Sequence, residues 1–299
     1  MTQRRPKSFY LLAGFFAAYV LFLYGPMIAI VALSFQGPEG GLTFPMNGFS
    51  LHWFYKVFSG GGIVDIGSAF KRSLSLGLLV TILTVLFSVG AGMAFRRRFI
   101  GASVLFYTAI ASLIMPSIIT SLGIALEFRL IDDLMNYFGP EYHWQWVENW
   151  TTAMGLYTSG LGAHLTWTLP FGLLIMFAIF NRFDHRLEEA ARDLGASPWQ
   201  VFRYVVGPLI LPSVVGIGLF GFTLSWDELA RSSQTIGSVN TLPLELQGLT
   251  TTVTKPDIYA LGTLTTGVSI FVIVSALLII RILQKRQARH GSDAGQGMI

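Results

Sequence analysis

Between His185 and Pro212 the chain reads HRLEEAARDLGASPWQVFRYVVGPLILP, a dense charged stretch in a sequence with only 12% charged residues. Its spacing suits non-covalent docking. Asp184 can cap a helix that starts at His185. Leu187, Ala190, Ala191 and Leu194 recur at i, i+3, i+4 and i+7, which gives one small apolar stripe, with Glu188, Glu189, Arg192 and Asp193 pointing elsewhere. Gly195 stands where a left-handed residue ends a helix. Ser197, Pro198 and Gln200 then form the signature of a second start: N-cap, first-turn proline and capping box. This second helix runs through Trp199, Phe202 and Tyr204 toward an expected kink at Gly207–Pro208. A solvated connection needs neither paired alanines nor stepwise capping, so the segment is read as a docking surface.

Two further places could do chemistry. Trp226, Asp227 and Glu228 follow directly on an uncharged run, where two adjacent carboxylates are costly unless hydrated, paired or facing a cavity. His164 lies inside another uncharged run; a packed, hydrogen-bonded helix residue is expected there, with a place on a substrate path as the alternative. Other chemistries are excluded. The chain has no Cys, which rules out disulfides, thiol catalysis and thiolate metal sites. It has no phosphate-binding lysine loop, no H-E-x-x-H and no G-x-S-x-G. The stretch GIGLFG (Gly216, Gly218, Gly221) satisfies the dinucleotide pattern, but it lies within an apolar run with no strand before it, and close helix packing is expected instead. No catalytic residue, metal, cofactor or nucleic-acid partner is expected.

The elements that carry these residues are membrane spans. Hydrophobic residues make up 53% of the chain. Six runs free of Asp, Glu, Lys and Arg extend over about Phe9–Phe35, Leu74–Phe95, Gly101–Leu126, Ala153–Phe180, Val205–Trp226 and Ile258–Ile280. Crossing a bilayer core of about 30 Å takes about 20 helical residues, and each run suffices. The sequence is therefore read as an all-α membrane protein of six transmembrane helices, a single domain over residues 1–299. Fourteen of its 20 Lys and Arg residues fall on the side that holds both termini and residues 181–204, which the positive-inside rule assigns to the cytoplasm. On the other side, residues 127–152 form an acidic, Trp-rich segment. Ile131, Leu134, Met135 and Phe138 lie at helical spacing opposite Asp132, Asp133 and Asn136, which predicts an amphipathic helix on the outer surface. Trp144, Trp146 and Trp150 suggest an interfacial belt. The only carboxylate, basic or imidazole group inside the six runs is His164, so the chain shows no means of coupling to an ion gradient.

The stretch EEAARDLGASPWQVFRYVVGPLILP also resembles the EAA loop of the inner-membrane permease subunits of binding-protein-dependent ABC importers. Glu189, Ala190, Ala191, Gly195 and Pro208 fall on the family pattern, with Val205 in place of Ile and Gly207 in place of Leu. FKRSLSLGLLVTI, MPSIIT, HLTWTLPF and SWDEL are similar to the polyamine (spermidine/putrescine) branch of these permeases; the long external segment departs from it. The resemblance covers most of the chain. It implies the type I (MetI-like) fold in a bacterial inner membrane, and a place as one half of a permease pair. The expected partners are an ATP-binding subunit dimer, a second permease subunit and an extracytoplasmic solute-binding protein. Residues 181–204 become the coupling loop, with Leu187, Glu189, Ala190, Ala191, Leu194 and Gly195 facing the ATPase. Trp226, Asp227, Glu228 and His164 become candidates for the substrate path. One of the two acids is expected at the gate and the other against the paired permease through Arg231; the simpler alternative leaves both solvated at a helix end. Eleven acids against six bases on the external side suit a cationic solute. Two rivals remain at this stage. An ion-coupled secondary transporter requires gradient-driven uptake, and a membrane scaffold or assembly protein leaves the Gly and Pro residues of the spans unexplained.

Overall fold

The computed structural model describes residues 6–59, 65–96, 99–141, 147, 150–252 and 256–289. Trp144, Trp146, Arg97, Arg98 and the tail beyond Arg289 lie outside the described residues. The described chain is helical. In order it forms α1 (Lys7–Leu33), α2 (His52–Phe58), α3 (Ile66–Phe95), α4 (Ala102–Ile114), α5 (Ser117–Glu141), a π-turn (Leu156–Gly160), α6 (Leu161–Phe180), α7 (Arg186–Asp193), α8 (Pro198–Val201), a second π-turn (Phe202–Val206), α9 (Gly207–Trp226), α10 (Ser232–Thr235), α11 (Leu242–Thr252) and α12 (Pro256–Arg289).

Five of the six expected spans are long apolar helices, built on α1, α3, α6, α9 and α12. The third is not continuous. Met115 is extended (φ −73°, ψ 134°), and α4 and α5 meet there at 114°. Pro116 supplies the reason, since a residue before proline is steered out of the helical region. The 13 residues of α4 rise only about 20 Å, too short to cross alone, so the count is five, or six when the bent pair is taken as one broken span. The helix expected around Ile131–Phe138 is present, as the later part of α5. Its acidic side is not simply solvated. Asp132 accepts hydrogen bonds from Trp150 Nε1 (3.1 Å), Thr152 Oγ1 (2.6 Å) and the Ala153 N–H (2.5 Å), which ties the return strand of chain to α5.

The chain divides into two compact units. The first comprises residues 1–67 and 245–268. Buried Gln36 organises its loop, donating to the Gly41 carbonyl (3.1 Å) and accepting from the Asn47 N–H (2.7 Å). Lys56 pairs with Asp257 at 3.6 Å.

The second unit, residues 68–244 and 269–299, holds the packed core. Met176, Ile179, Phe180, Phe183, Val201, Val206, Ile210 and Ile217 form one cluster in it. The helices α3, α6 and α9 approach closely because small residues line their contacts. A side chain at Gly172 would overlap Ser88 and come within 3.2 Å of Ile217. Thr84 and Thr168 share a buried hydrogen bond of 2.7 Å between α3 and α6. Two glycines of GIGLFG act as expected, Gly218 and Gly221 packing against Thr81, Thr84 and Val85 of α3, whereas Gly216 faces open space.

Candidate functional site

The loop between α6 and α9 is built by its caps. Asp184 Oδ1 accepts the Arg186 N–H at 3.0 Å, so α7 starts one residue later than its sequence suggests. At its other end Gly195 is left-handed, with φ +84°. The Gly195 N–H reaches the Arg192 carbonyl (2.8 Å) and the Ala196 N–H reaches that of Ala191 (3.1 Å), the paired bonds of a Schellman stop. Ser197 and Gln200 then cap α8 reciprocally: Ser197 N–H donates to Gln200 Oε1 (2.7 Å) and Gln200 N–H to Ser197 Oγ (3.4 Å). The expected kink at Gly207–Pro208 is instead the π-turn just before it. The Gly207 N–H bonds the Phe202 carbonyl five residues back. A Cβ at position 207 would sit 3.0 Å from that oxygen, which gives glycine a steric reason to stand where the family pattern has Leu.

The apolar stripe divides on folding. Ala191 and Ala196 pack against the core cluster, and Leu187 is half-buried. Glu189, Ala190, Leu194 and Gly195 are exposed, Leu194 at 90%, and Trp199 and Tyr204 stand out beside them. Ala191, Leu194, Gly195, Ala196, Gln200, Tyr204 and Val205 line a shallow cavity of about 380 Å³. The exposed side of the loop thus combines apolar and aromatic groups with charged ones, among them the carboxylates of Glu189 and Asp193.

Glu188 departs from the expectation that it points away. It is buried, and its carboxylate meets Arg96 Nη2 at 2.5 Å and Arg192 Nη2 at 3.3 Å. Arg96 also lies over the rings of Phe180 (4.8 Å) and Phe183 (5.0 Å), and its Nη2 reaches His185 Nδ1 at 2.8 Å. A guanidinium has no acceptor, so Nδ1 accepts and the His185 proton resides on Nε2. Sequence reasoning missed Arg96 and Glu188. The first reads as one of three loop arginines, and the second as the outward half of a repeated Glu.

At the other end of α9, Asp227 is exposed and Glu228 is half-buried. Packed protein beneath Asp227 raises its carboxyl above the usual carboxylate range. Glu228 Oε1 accepts the Arg231 N–H at 2.9 Å. Arg231 does not reach outward, as expected of a link to a second permease. It is fully buried, donates to the Ala163 carbonyl (3.1 Å) and to Thr166 Oγ1, and lies 5.0 Å over the ring of Trp167. Desolvation lowers its pKa, and the Glu228 charge works against that. Trp226 is buried, edge-on to Phe70 and stacked with Phe222. His164 is buried with both ring nitrogens engaged, Nδ1 with Ser225 Oγ at 2.8 Å and Nε2 with Ser232 Oγ at 3.0 Å. Of the four path candidates, only Asp227 and Glu228 reach solvent in this conformation; His164 ties α6 to Ser225 of α9 and Ser232 of α10, and Trp226 packs α9 against Phe70 of α3. Among the described residues no group of acidic and imidazole side chains could hold a metal.

Apolar spanning helices, a doubly capped helix–turn–helix between two of them and a polar segment closing α9 define a multi-pass membrane transport subunit. The chain belongs to the family of binding-protein-dependent transport system inner membrane components, whose model matches residues 84–289. It is 28% identical to the spermidine/putrescine transport system permease protein PotC of Haemophilus influenzae, over 92% of this chain and 98% of that one. It is 28% identical to the putrescine transport system permease protein PotI of Escherichia coli, over 92% of each. In three dimensions it is similar to a bacterial ABC transporter involved in the import of the acidic polysaccharide alginate, with a TM-score of 0.63 at 15% identity over 94% of both chains. The fold is that of a MetI-like permease, and the chain is a permease subunit of an ABC importer.

Proposed function

We propose that this permease moves polyamines, or small organic cations like them, inward across a bacterial inner membrane. It pairs with a second permease subunit, takes its solute from an extracytoplasmic binding protein, and is driven by a separate ATPase dimer docked on residues 181–204. Both termini and that loop lie in the cytoplasm. The observation that carries the reading is the end-to-end likeness to permeases named for spermidine and putrescine. The chemistry of the chain supports it. Glu189, Ala190 and Leu194 stand exposed on a rigidly capped loop, where small side chains permit close approach and a carboxylate can meet basic groups of a partner. Asp227 and Glu228 place negative charge at the end of α9 that the charge bias assigns to the outside.

The test is reconstitution. The complex that co-purifies with this chain is placed in vesicles with ATP, and uptake of labelled spermidine, putrescine and an uncharged solute of similar size is compared. ATP-dependent accumulation of the polyamines alone is expected. Accumulation of the neutral solute in their place would overturn the substrate, and a complex without an ATPase subunit would overturn the coupling.

A further inference from the structure

We propose that the buried ion pair between Arg96 and Glu188 is the mechanical link by which movement of the docking loop is passed to α3. This rests on the reading of residues 181–204 as the ATPase-docking loop. The close backbone neighbours of α7 are α8 and the π-turn that follows it. Its hold on α3 is made by side chains: Glu188 Oε1 to Arg96 Nη2 at 2.5 Å, with His185 Nδ1 on the same nitrogen at 2.8 Å.

The link is stiff for physical reasons. Both side chains are at least nine-tenths buried. Two aromatic rings, Phe180 and Phe183, flank the guanidinium, and Gly92, Phe95, Phe177 and Asn181 line the pocket beside it. Moving α7 without α3 would strand a cation among aromatic rings and a carboxylate away from water, so the two elements move together. Arg192 is the weaker partner. It is half-exposed, one turn along the same helix and 3.3 Å away, so it cannot tie α7 to anything else. From Arg96 the path continues by contact. Gly92, one turn back on α3, lies so close to Met176 and Phe180 of α6 that a Cβ there would come within 3.0 Å of either, and Thr84 bonds Thr168 further along. Pull on Glu188 is thereby delivered to the α3–α6 contact in mid-membrane. Arg96 and Glu188 are positioning residues, and neither is placed against substrate.

The experiment uses the assembled importer in vesicles, with ATP turnover and solute uptake measured on one preparation. Glu188→Gln and Arg96→Met are each expected to keep the ATPase subunit bound while uptake per ATP hydrolysed falls at least fivefold. The double variant is expected to fall no further than the worse single one, because the pair acts as a unit. A merely structural role would lower abundance and leave the ratio untouched. Where a single variant is lost from the membrane, the double variant, which strands no charge, carries the test by the same ratio. Wild-type uptake per ATP in these variants, or losses that multiply, overturns the proposal. A wild-type complex that holds no ATPase overturns the docking reading beneath it, a result distinct from either.

Discussion

Gly195 shows how a single backbone angle sets a surface. Its φ of +84° lets Leu194 and Glu189 project from one side while Ala191 and Ala196 turn to the core. No atom crowds the position, so a substitution there is opposed by backbone strain alone, about 1–2 kcal/mol. Gly195→Asp is expected to cut uptake at least tenfold at normal membrane abundance, because it adds a further carboxylate to the face as well as strain. Gly195→Asn, which tolerates the left-handed region, should lose less; equal uptake by all three proteins would refute the argument. Asp227 is governed by charge instead. Its raised pKa means that its contribution to folding is present below the usual carboxylate range and is lost as pH rises through the raised value. At neutral pH the ionised group is therefore a cost to the fold. Asp227→Asn should leave the melting temperature unchanged or higher while lowering uptake of a dication, and acidification should mimic it in the wild type. Wild-type uptake in both Asp227→Asn and Glu228→Gln would favour the simpler view that these acids are solvated at a helix end.

What the sequence discloses about the helices depends on whether the deciding force is local. Caps are local, and Gly195, Ser197 and Gln200 act as their types demand. Apolar length is local as well, which is why five spans could be read from runs without charge. The break at Met115–Pro116 is also local in origin, yet a proline in an apolar run is compatible with a mild kink, and its size of 114° depends on what α4 and α5 pack against. The pairing of Glu188 with Arg96 and the burial of Arg231 are not local: they join residues 92 and 65 to 68 positions apart, which no periodicity reports. Helix approach is intermediate, since small residues advertise it without naming the partner. Gly172 is the sharpest case. It sits where α6 meets Ser88 of α3 and Ile217 of α9. Gly172→Leu overpacks that crossing by more than the about 1–3 kcal/mol typical of a well-packed core, so folded protein in the membrane should drop severely. The pair Gly172→Ala with Ser88→Gly should recover most of it. Thermal stability in detergent is the measurement, and an undiminished Gly172→Leu protein would mean that the crossing is looser than described.

The source of energy is a property of the whole chain. A gradient-driven carrier needs charges that load and unload within the membrane, typically carboxylates facing a cavity. Here the apolar stretches of α1, α3, α6, α9 and α12 enclose one imidazole, His164, and both of its nitrogens are held by serines in a buried contact. The acids of α5 begin at Glu127, after its uncharged first ten residues, and Asp132 is taken up by Trp150, Thr152 and Ala153. Arg231, in the segment after α9, is buried and fastens that segment to α6. What the chain does present is a rigid, exposed, capped loop and an ion pair leading from it to α3. On the proposed reading, work enters at that loop from a nucleotide-hydrolysing partner. Uptake into vesicles carrying the assembled complex is expected to continue when a protonophore collapses the proton gradient, and to stop when ATP is replaced by a non-hydrolysable analogue. Vesicles that hold the permease without the ATPase should accumulate nothing under any imposed gradient. Gradient-driven accumulation in those vesicles would show that the charges needed for coupling lie elsewhere in the chain, and the secondary-transporter reading would then be the better one.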